Sequence, residues 1–160
     1  MSVRIKICGI RNPDTILALD GLPIHEIGFV FAKSRRQVTP EEAAELIRAA
    51  RSLRCAEGRP PRAVGVFVDA SPESLAGVLR IAPLDIVQLH GSETPEICRR
   101  IRSELGVQVW KVFPIRGGDA PAGERIAPFG GAIDAALIDT AGGGTGTAFD
   151  WRVIADYKAA

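Results

Sequence analysis

Residues 63–105 read AVGVFVDASPESLAGVLRIAPLDIVQLHGSETPEICRRIRSEL, and they contain the alternation that decides the fold. An apolar run at Ala63–Val68 is followed by Ser71-Pro72 and a segment of helical length. The same order returns at Ile86–Leu89 and Thr94-Pro95. A small polar residue before Pro is typical of a helix start, because its side chain accepts a hydrogen bond from a free backbone N–H and Pro at the first helical position loses none. This stretch therefore predicts two consecutive strand–helix units.

The strand pattern extends in both directions from this stretch. Four more apolar runs occur, at Arg4–Cys8, Glu26–Phe31, Gln108–Phe113 and Ala135–Ile138. The strand starts recur about every 26 residues, which is the length of a βα unit with short loops. Because the runs are apolar on both alternating faces, they predict parallel strands that are covered on both sides.

Six such units fit two architectures. A (β/α)8 TIM barrel has eight units and about 200 residues or more, so this 160-residue chain would hold about six of them in one domain, residues 1–160. An open, doubly wound sheet could use six units without loss. Asp150 is a candidate cap for a sixth helix.

The composition argues against nucleic-acid-binding, membrane and secreted proteins. Twenty Lys and Arg against nineteen Asp and Glu leave a formal charge of +1, so neither nucleic acid nor an anionic membrane surface is an expected partner. The first residues alternate charged and apolar side chains, unlike a signal peptide, and no uncharged run of about 18 residues predicts a membrane span. Three cysteines without a C-x-x-C pair fit reduced thiols in the cytoplasm.

The residues just beyond the strands are the candidates for chemistry, because the active site of a β/α barrel lies at the carboxyl ends of its strands. They include Cys8, Arg36, Asp69, His90 and Asp139. A thiol, a guanidinium, an imidazole and carboxylates could together support acid–base chemistry on an anionic substrate. Each also has an ordinary explanation, as a buried thiol, a solvated charge or a side chain that caps a loop.

A glycine run near the end of the sequence could bind a phosphate. Residues 142–146 read GGGTG, without the Lys of a Walker A loop and without the spacing of a dinucleotide fingerprint. A run of bare N–H groups can still bind phosphate, although a merely flexible loop has the same composition. Two distant histidines, His25 and His90, without clustered carboxylates or thiols give no metal signature, and no cofactor is indicated.

Seven short motifs occur in a fixed order along the chain. They are Lys6-Ile7-Cys8-Gly9-Ile10, Gly28-Phe29-Val30-Phe31, Ser34-Arg35-Arg36, Val64-Gly65-Val66-Phe67-Val68, Val87-Gln88-Leu89-His90-Gly91, Leu137-Ile138-Asp139-Thr140 and Gly143-Gly144-Thr145-Gly146 with Phe149-Asp150-Trp151. Each motif alone is weak, whereas the combination is specific. In this order the chain resembles the phosphoribosylanthranilate isomerases along its whole length.

The resemblance implies an isomerase of tryptophan biosynthesis with the TIM-barrel fold. Its reaction is the Amadori rearrangement of N-(5-phosphoribosyl)anthranilate, a small phosphorylated substrate, to 1-(2-carboxyphenylamino)-1-deoxyribulose 5-phosphate. The resemblance implies Asp139 as general acid on the ribose ring oxygen and Cys8, as a thiolate, as the base at C2. Arg36 would hold the anthranilate carboxylate, with Gln88 and His90 as further substrate contacts. Four residues of the glycine run would bind part of the phosphate: Gly143, Gly144, Thr145 and Gly146.

The family continues beyond the Phe-Asp-Trp segment with a seventh and an eighth strand, whose loops help to bind the phosphate. Six strands cannot close at the tilt of an eight-stranded barrel, so the outer strands would expose unpaired edges and an apolar interior. We therefore expect the 160-residue chain alone to be poorly folded or oligomeric, with little isomerase activity. A non-catalytic chain that another polypeptide completes, and another sugar-phosphate barrel enzyme, are the alternatives.

Overall fold

The strands form one parallel sheet in the order of the chain. A computed structural model describes residues 3–115 and 122–140. The strands are β1 Lys6–Cys8, β2 Glu26–Val30, β3 Arg62–Phe67, β4 Ile86–Leu89, β5 Gln108–Ile115 and β6 Ala135–Thr140. Each strand pairs in parallel with the next. This sequential order confirms six strands of a TIM barrel and excludes a doubly wound sheet, in which the strand order reverses.

A helix follows each of the first five strands. The helices are α1 Pro13–Leu17, α2 Pro40–Ala50, α3 Pro72–Ile81, α4 Pro95–Leu105 and α5 Ala122–Ile126. The first four begin after a side chain that accepts a backbone N–H, as predicted: Asn12, Thr39, Ser71 and Thr94. At α2 the Thr39 N–H also donates to the Glu42 carboxylate at 2.7 Å, which completes a capping box.

The main hydrophobic core lies between the outer face of the sheet and the helices. Ile27 and Phe29 of β2 are fully buried there, together with Leu46 and Ile47 of α2. Burying a side chain of this size stabilises the fold by about 1.5–3 kcal/mol. This core fixes the outer face of each strand, and the alternate residues consequently point into the barrel.

The barrel interior is only in part the apolar one expected from the sequence. Its side chains include Lys6, Glu26, Arg62, Gln88 and Trp110. The Lys6 ammonium crosses the interior to donate to the Gln88 side-chain oxygen, and the Arg62 guanidinium lies 5.8 Å from the centroid of the Trp110 ring. The same inward face carries buried apolar side chains, such as Val64 and Ile86. The interior thus combines both kinds of residue, and contacts among the polar groups offset the cost of burying them.

One further prediction lies outside the described residues, namely the sixth helix that begins at Asp150. Among the helices that the structure does describe, none has the length and apolar character needed to cross a membrane. The described part therefore comprises six strands and five helices, with the carboxyl ends of the strands on one side of the sheet.

Candidate active site

Four predicted site residues lie at or just beyond the carboxyl ends of the strands: Cys8, Arg36, His90 and Asp139. Alternate residues of a strand point to the same side, so Cys8 shares the inward face of Lys6 on β1, and His90 shares that of Gln88 on β4. The contact between Lys6 and Gln88 crosses the interior. The thiol and the imidazole therefore face the same space.

The Cys8 thiol is exposed, whereas Cys55 and Cys98 are buried. The Sγ of Cys8 lies 2.7 Å from the position that a Cβ on Gly28 would take, and the Cε of Lys6 lies 3.2 Å from the same point. Gly28 thus leaves the room that both side chains occupy. Burial raises the pKa of Cys98 to about 11, which keeps that thiol protonated near neutral pH. Cys8 is the accessible thiol of the three.

Arg36 reaches the end of β1 by passing over Gly9. Its Nη1 donates to the backbone carbonyl of Cys8 at 3.1 Å. Gly9 has a φ of +86°, and a Cβ at this position would lie 2.6 Å from Arg36 Nη1. The left-handed backbone and the close approach both require glycine here. The contact holds the guanidinium at the carboxyl end of β1, where it can bind a carboxylate through two hydrogen bonds.

The structure brings His90 and Asp139 together from β4 and β6. The Nε2 of His90 lies 3.6 Å from Oδ2 of Asp139, and the two side chains are 31% and 40% exposed. The other carboxylate oxygen accepts the backbone N–H of Thr140 at 2.7 Å, which orients the group. A carboxyl group held by one oxygen and open at the other can exchange a proton with a ligand. The sequence indicated both residues but not their contact, which depends on the curvature of the sheet.

Gln88 lies deeper in the barrel than the other predicted substrate contacts. It is 6% exposed, and its side-chain oxygen accepts a hydrogen bond from Lys6. The ammonium of Lys6 also lies 5.9 Å from the centroid of the Trp110 ring. In this arrangement the Gln88 amide holds Lys6 beneath the site, and its contact with substrate stays a prediction.

A buried ion pair that was not predicted from the sequence holds the loop after β4. Lys111, on the outer face of β5, lies 3.1 Å from the Glu93 carboxylate, and the two side chains are 5% and 2% exposed. Lys111 also donates to the carbonyl of Gly91 at 2.7 Å, while Glu93 accepts the N–H groups of Gly91 and Asp69. These contacts fix the segment that follows His90. The available signal was a lysine inside the apolar run at 108–113.

The amino ends of the strands carry a second charged cluster, formed by Arg4, Glu26 and Arg62. Glu26 is 1% exposed, and its carboxylate binds both guanidinium groups. Arg62 also donates to the side chain of Gln108 at 2.8 Å. Lys6 lies on the same inward face between this cluster and Cys8. Burial lowers the pKa of Lys6, while the negative charges of Cys8 and Glu26 act to raise it.

The predicted phosphate-binding residues lie outside the described part of the chain: Gly143, Gly144, Thr145 and Gly146. Within residues 3–115 and 122–140, no group of three or more His, Cys, Asp and Glu side chains could hold a metal ion. The described site consists of a thiol, a guanidinium, an imidazole and a carboxyl group, with a lysine beneath them.

Comparisons with known proteins identify the family. The sequence matches the family profile described as N-(5'phosphoribosyl)anthranilate (PRA) isomerase over residues 5–160. An N-(5'-phosphoribosyl)anthranilate isomerase of Brevibacillus brevis is 42% identical over 161 residues, which cover 98% of this chain and 69% of that protein. The crystal structure of phosphoribosyl anthranilate isomerase from Thermus thermophilus has a TM-score of 0.79 and 30% identity, over 98% of this chain and 72% of that one.

A second solved phosphoribosyl anthranilate isomerase, in complex with reduced 1-(o-carboxyphenylamino)-1-deoxyribulose 5-phosphate, has a TM-score of 0.70 and 31% identity over 99% of this chain and 71% of that one. The chain thus spans 69% to 72% of the length of these relatives. The match favours this family over another sugar-phosphate barrel enzyme. The sequential sheet, the strand-end residues and the three matches agree, and together they show that the chain belongs to the N-(5'-phosphoribosyl)anthranilate isomerase family, the isomerases of tryptophan biosynthesis.

Proposed function

We propose that Cys8 and Asp139 transfer the protons in the rearrangement of N-(5-phosphoribosyl)anthranilate to 1-(2-carboxyphenylamino)-1-deoxyribulose 5-phosphate. The observation that carries this proposal is the position of the two groups, at the carboxyl ends of β1 and β6 in one parallel barrel sheet. Active sites of β/α barrels lie at this end. One solved relative binds the reduced form of the product.

The reaction is an internal redox change, in which C1 of the ribose is reduced and C2 is oxidised, so it needs no external oxidant. Asp139 donates a proton to the ring oxygen, the C1–O bond breaks, and the nitrogen lone pair forms a protonated imine at C1. The Cys8 thiolate then removes the proton from C2, which gives an enolamine. Tautomerisation of the enolamine places a proton on C1 and leaves a ketone at C2.

The remaining site residues bind and orient the substrate. Arg36 holds the anthranilate carboxylate, since its guanidinium lies beside the end of β1 and arginine binds carboxylates through two parallel hydrogen bonds. His90 contacts the substrate next to the acid, because its imidazole lies beside Asp139. Gln88 is the deepest of these contacts. The glycine run at 143–146 binds the phosphate.

The base assignment is tested with Cys8→Ala, assayed in the chain with and without a peptide that supplies the last two βα units of a relative. Removing a general base commonly lowers turnover by about 10² to 10⁴, with a smaller effect on substrate binding. Cys98→Ala is the matched control, because it removes a fully buried thiol on the inner face of α4. A Cys8→Ala variant with turnover near that of the parent would contradict the assignment of Cys8 as the general base.

The carboxylate contact is tested with Arg36→Ala against the neighbouring Arg35→Ala. Both arginines are exposed, and Arg36 contacts the end of β1. Arg36→Ala should raise KM for the natural substrate and change it little for an analogue without the carboxylate. Arg35→Ala should leave both values near those of the parent. An equal rise in KM for both substrates would show that Arg36 supports the structure of the site and does not bind the carboxylate.

The outer strand β1 supports a proposal about association in the cytoplasm, where the three unpaired thiols would stay reduced. Among the described residues β1 pairs with β2 alone. Ile7 of β1 is 37% exposed, and Val3 and Ile5 just before the strand are 81% and 38% exposed. Unpaired strand edges with apolar side chains favour pairing with another chain. Sedimentation should show self-association that the complementing peptide reduces. A cooperative monomer with full family turnover would contradict this.

A further inference from the structure

We propose that Lys6 is a positioning residue for the catalytic base, and that its ammonium stabilises the thiolate of Cys8 from inside the barrel. The proposal rests on the role of Cys8 proposed above. It concerns how a thiol at the end of a strand is kept in the anionic form that proton abstraction requires, since the thiolate is the reactive species of a cysteine.

The first argument is the packing of the two side chains against Gly28. Cys8 and Lys6 are two positions apart on β1, so both point inward. The Sγ of Cys8 and the Cε of Lys6 lie 2.7 Å and 3.2 Å from the place where a Gly28 Cβ would stand. A larger residue at position 28 would fill the space that both atoms share. Glycine therefore leaves the thiol and the end of the lysine side chain as neighbours.

The second argument is that the direct contacts of the Lys6 ammonium are neutral groups. Its ammonium donates to the amide oxygen of Gln88 and lies over the ring of Trp110. The buried carboxylate of the interior, Glu26, is bound by two guanidinium groups, those of Arg4 and Arg62. A buried charge is costly unless an opposite charge compensates it. The Cys8 thiolate supplies that negative charge.

Other charged groups also face the thiol, from the loop after β2 and from β4 and β6. Arg36 donates to the Cys8 carbonyl, which places a second positive charge beside the residue. His90 and Asp139 lie 3.6 Å apart. A positive charge on the imidazole and a negative charge on the carboxylate would have opposite effects on the Cys8 thiol. Lys6 differs from these groups because it lies on the same strand as Cys8. Burial lowers the pKa of Lys6, while the negative charges of Cys8 and Glu26 act to raise it.

The test measures the rate of Cys8 alkylation by iodoacetamide as a function of pH, with mass spectrometry to locate the label. Iodoacetamide is neutral, so a change in attraction for the reagent does not affect the rate. Cys55 and Cys98 are buried and serve as internal reports of folding. The assay needs no turnover, so it can fail or succeed independently of the isomerase assignment.

Lys6→Met removes the charge and keeps the length of the side chain. Because a nearby opposite charge shifts the ionisation of a group by about one pH unit or more, alkylation near neutral pH should become about tenfold slower. Lys6→Arg restores the charge and should restore most of the rate. Lys33→Met, at a lysine outside the barrel interior, is the matched control and should leave the pH profile unchanged.

Gln88→Glu tests the same idea with Lys6 in place. It puts a carboxylate on the ammonium, which compensates the charge, so Cys8 should again react more slowly near neutral pH. This variant keeps the proposal testable if Lys6→Met does not fold, which labelling of Cys98 would reveal. Profiles of both variants that coincide with the parent would overturn the proposal. So would a loss of turnover in Lys6→Met with an unchanged alkylation profile, because Lys6 would then act on the substrate itself.

Discussion

Two carboxylates inside the barrel, Glu26 at the amino ends of the strands and Asp139 near the carboxyl ends, have opposite surroundings. The Glu26 side chain is 2% exposed and binds two guanidinium groups. The Asp139 side chain is 40% exposed and has the His90 imidazole 3.6 Å from one oxygen. The first carboxylate is enclosed by fixed charges, whereas the second keeps an oxygen that faces His90 and the open end of the barrel.

The two carboxylates therefore differ in role: Glu26 contributes to stability, whereas Asp139 is available for chemistry. Glu26 is buried and bound to two guanidinium groups, so its contacts hold the amino ends of β1, β2 and β3 together. Asp139 can exchange a proton, because one oxygen is accessible and an imidazole lies beside it. Barrels of this class show the same division, with catalysis at the carboxyl ends and stability at the amino ends. Substitutions of Glu26 and of Asp139 should therefore change different measurements.

The largest loss of stability is expected for the ion pair between Lys111 and Glu93, which is as buried as Glu26. Lys111 and Glu93 are 5% and 2% exposed at 3.1 Å, and removing one partner of such a pair costs about 3–5 kcal/mol. Lys111→Met should lower the free energy of unfolding by about 3 kcal/mol, since Glu93 keeps its two backbone donors. Urea unfolding followed by circular dichroism measures this, with Lys33→Met as control. A loss below about 1 kcal/mol would show that the pair does not hold the loop.

Glu26→Gln should have the next largest effect. It keeps the shape of the side chain and leaves two guanidinium groups without their carboxylate. Arg4 and Arg62 are 55% and 32% exposed, so water screens part of their charge, and we expect a loss of about 2 kcal/mol. Glu57→Gln is a matched control, because Glu57 is 72% exposed and lies 3.7 Å from its arginine. Equal effects in the two variants would show that burial adds nothing to the interaction at Glu26.

The features that depend on neighbouring residues could be predicted from the sequence. The caps at Thr39 and Thr94 and the capping box with Glu42 follow from residue type and spacing over four positions. Strand starts at Glu26 and Ile86 agree with the structure, because apolar runs and their flanking turns are local signals. The first strand begins at Lys6, two residues after the predicted start at Arg4.

The polar interior could not be predicted, because it depends on which side of each strand faces inward. Glu26 was the charged first residue of a predicted strand, whereas Arg62 lay in the loop just before another. Their contact becomes visible when β2 and β3 pair at these two residues. The contact of His90 with Asp139 requires the curvature that brings β4 and β6 together. The phosphate-binding role of residues 143–146 and the single domain over 1–160 stay predictions, since residues 141–160 are outside the described part.

Gly9→Ala should lower stability by a smaller amount and also disturb the site. An alanine at a φ of +86° is strained by about 1 kcal/mol. Gly21→Ala is the control, because Gly21 has a φ of +77° and no atom lies within 4 Å of the position that its Cβ would take. Both variants should lose similar stability in urea unfolding, whereas Gly9→Ala alone should displace Arg36 and raise KM for the carboxylate-bearing substrate. Equal KM values for Gly9→Ala and Gly21→Ala would show that the contact of Arg36 with the end of β1 is not needed for substrate binding.

The smallest effect on stability is expected for Asp139→Asn, although this variant should lose most of its turnover. The amide keeps the shape of the carboxylate, and its oxygen can still accept the backbone N–H of Thr140. The contact with His90 is 3.6 Å long and both side chains are partly exposed, so its loss should cost less than about 0.5 kcal/mol. Urea unfolding of the parent and the variant under identical conditions measures the difference. A loss as large as that of Glu26→Gln would mean that Asp139 is part of the scaffold, and the contrast between the two ends of the barrel would then not hold.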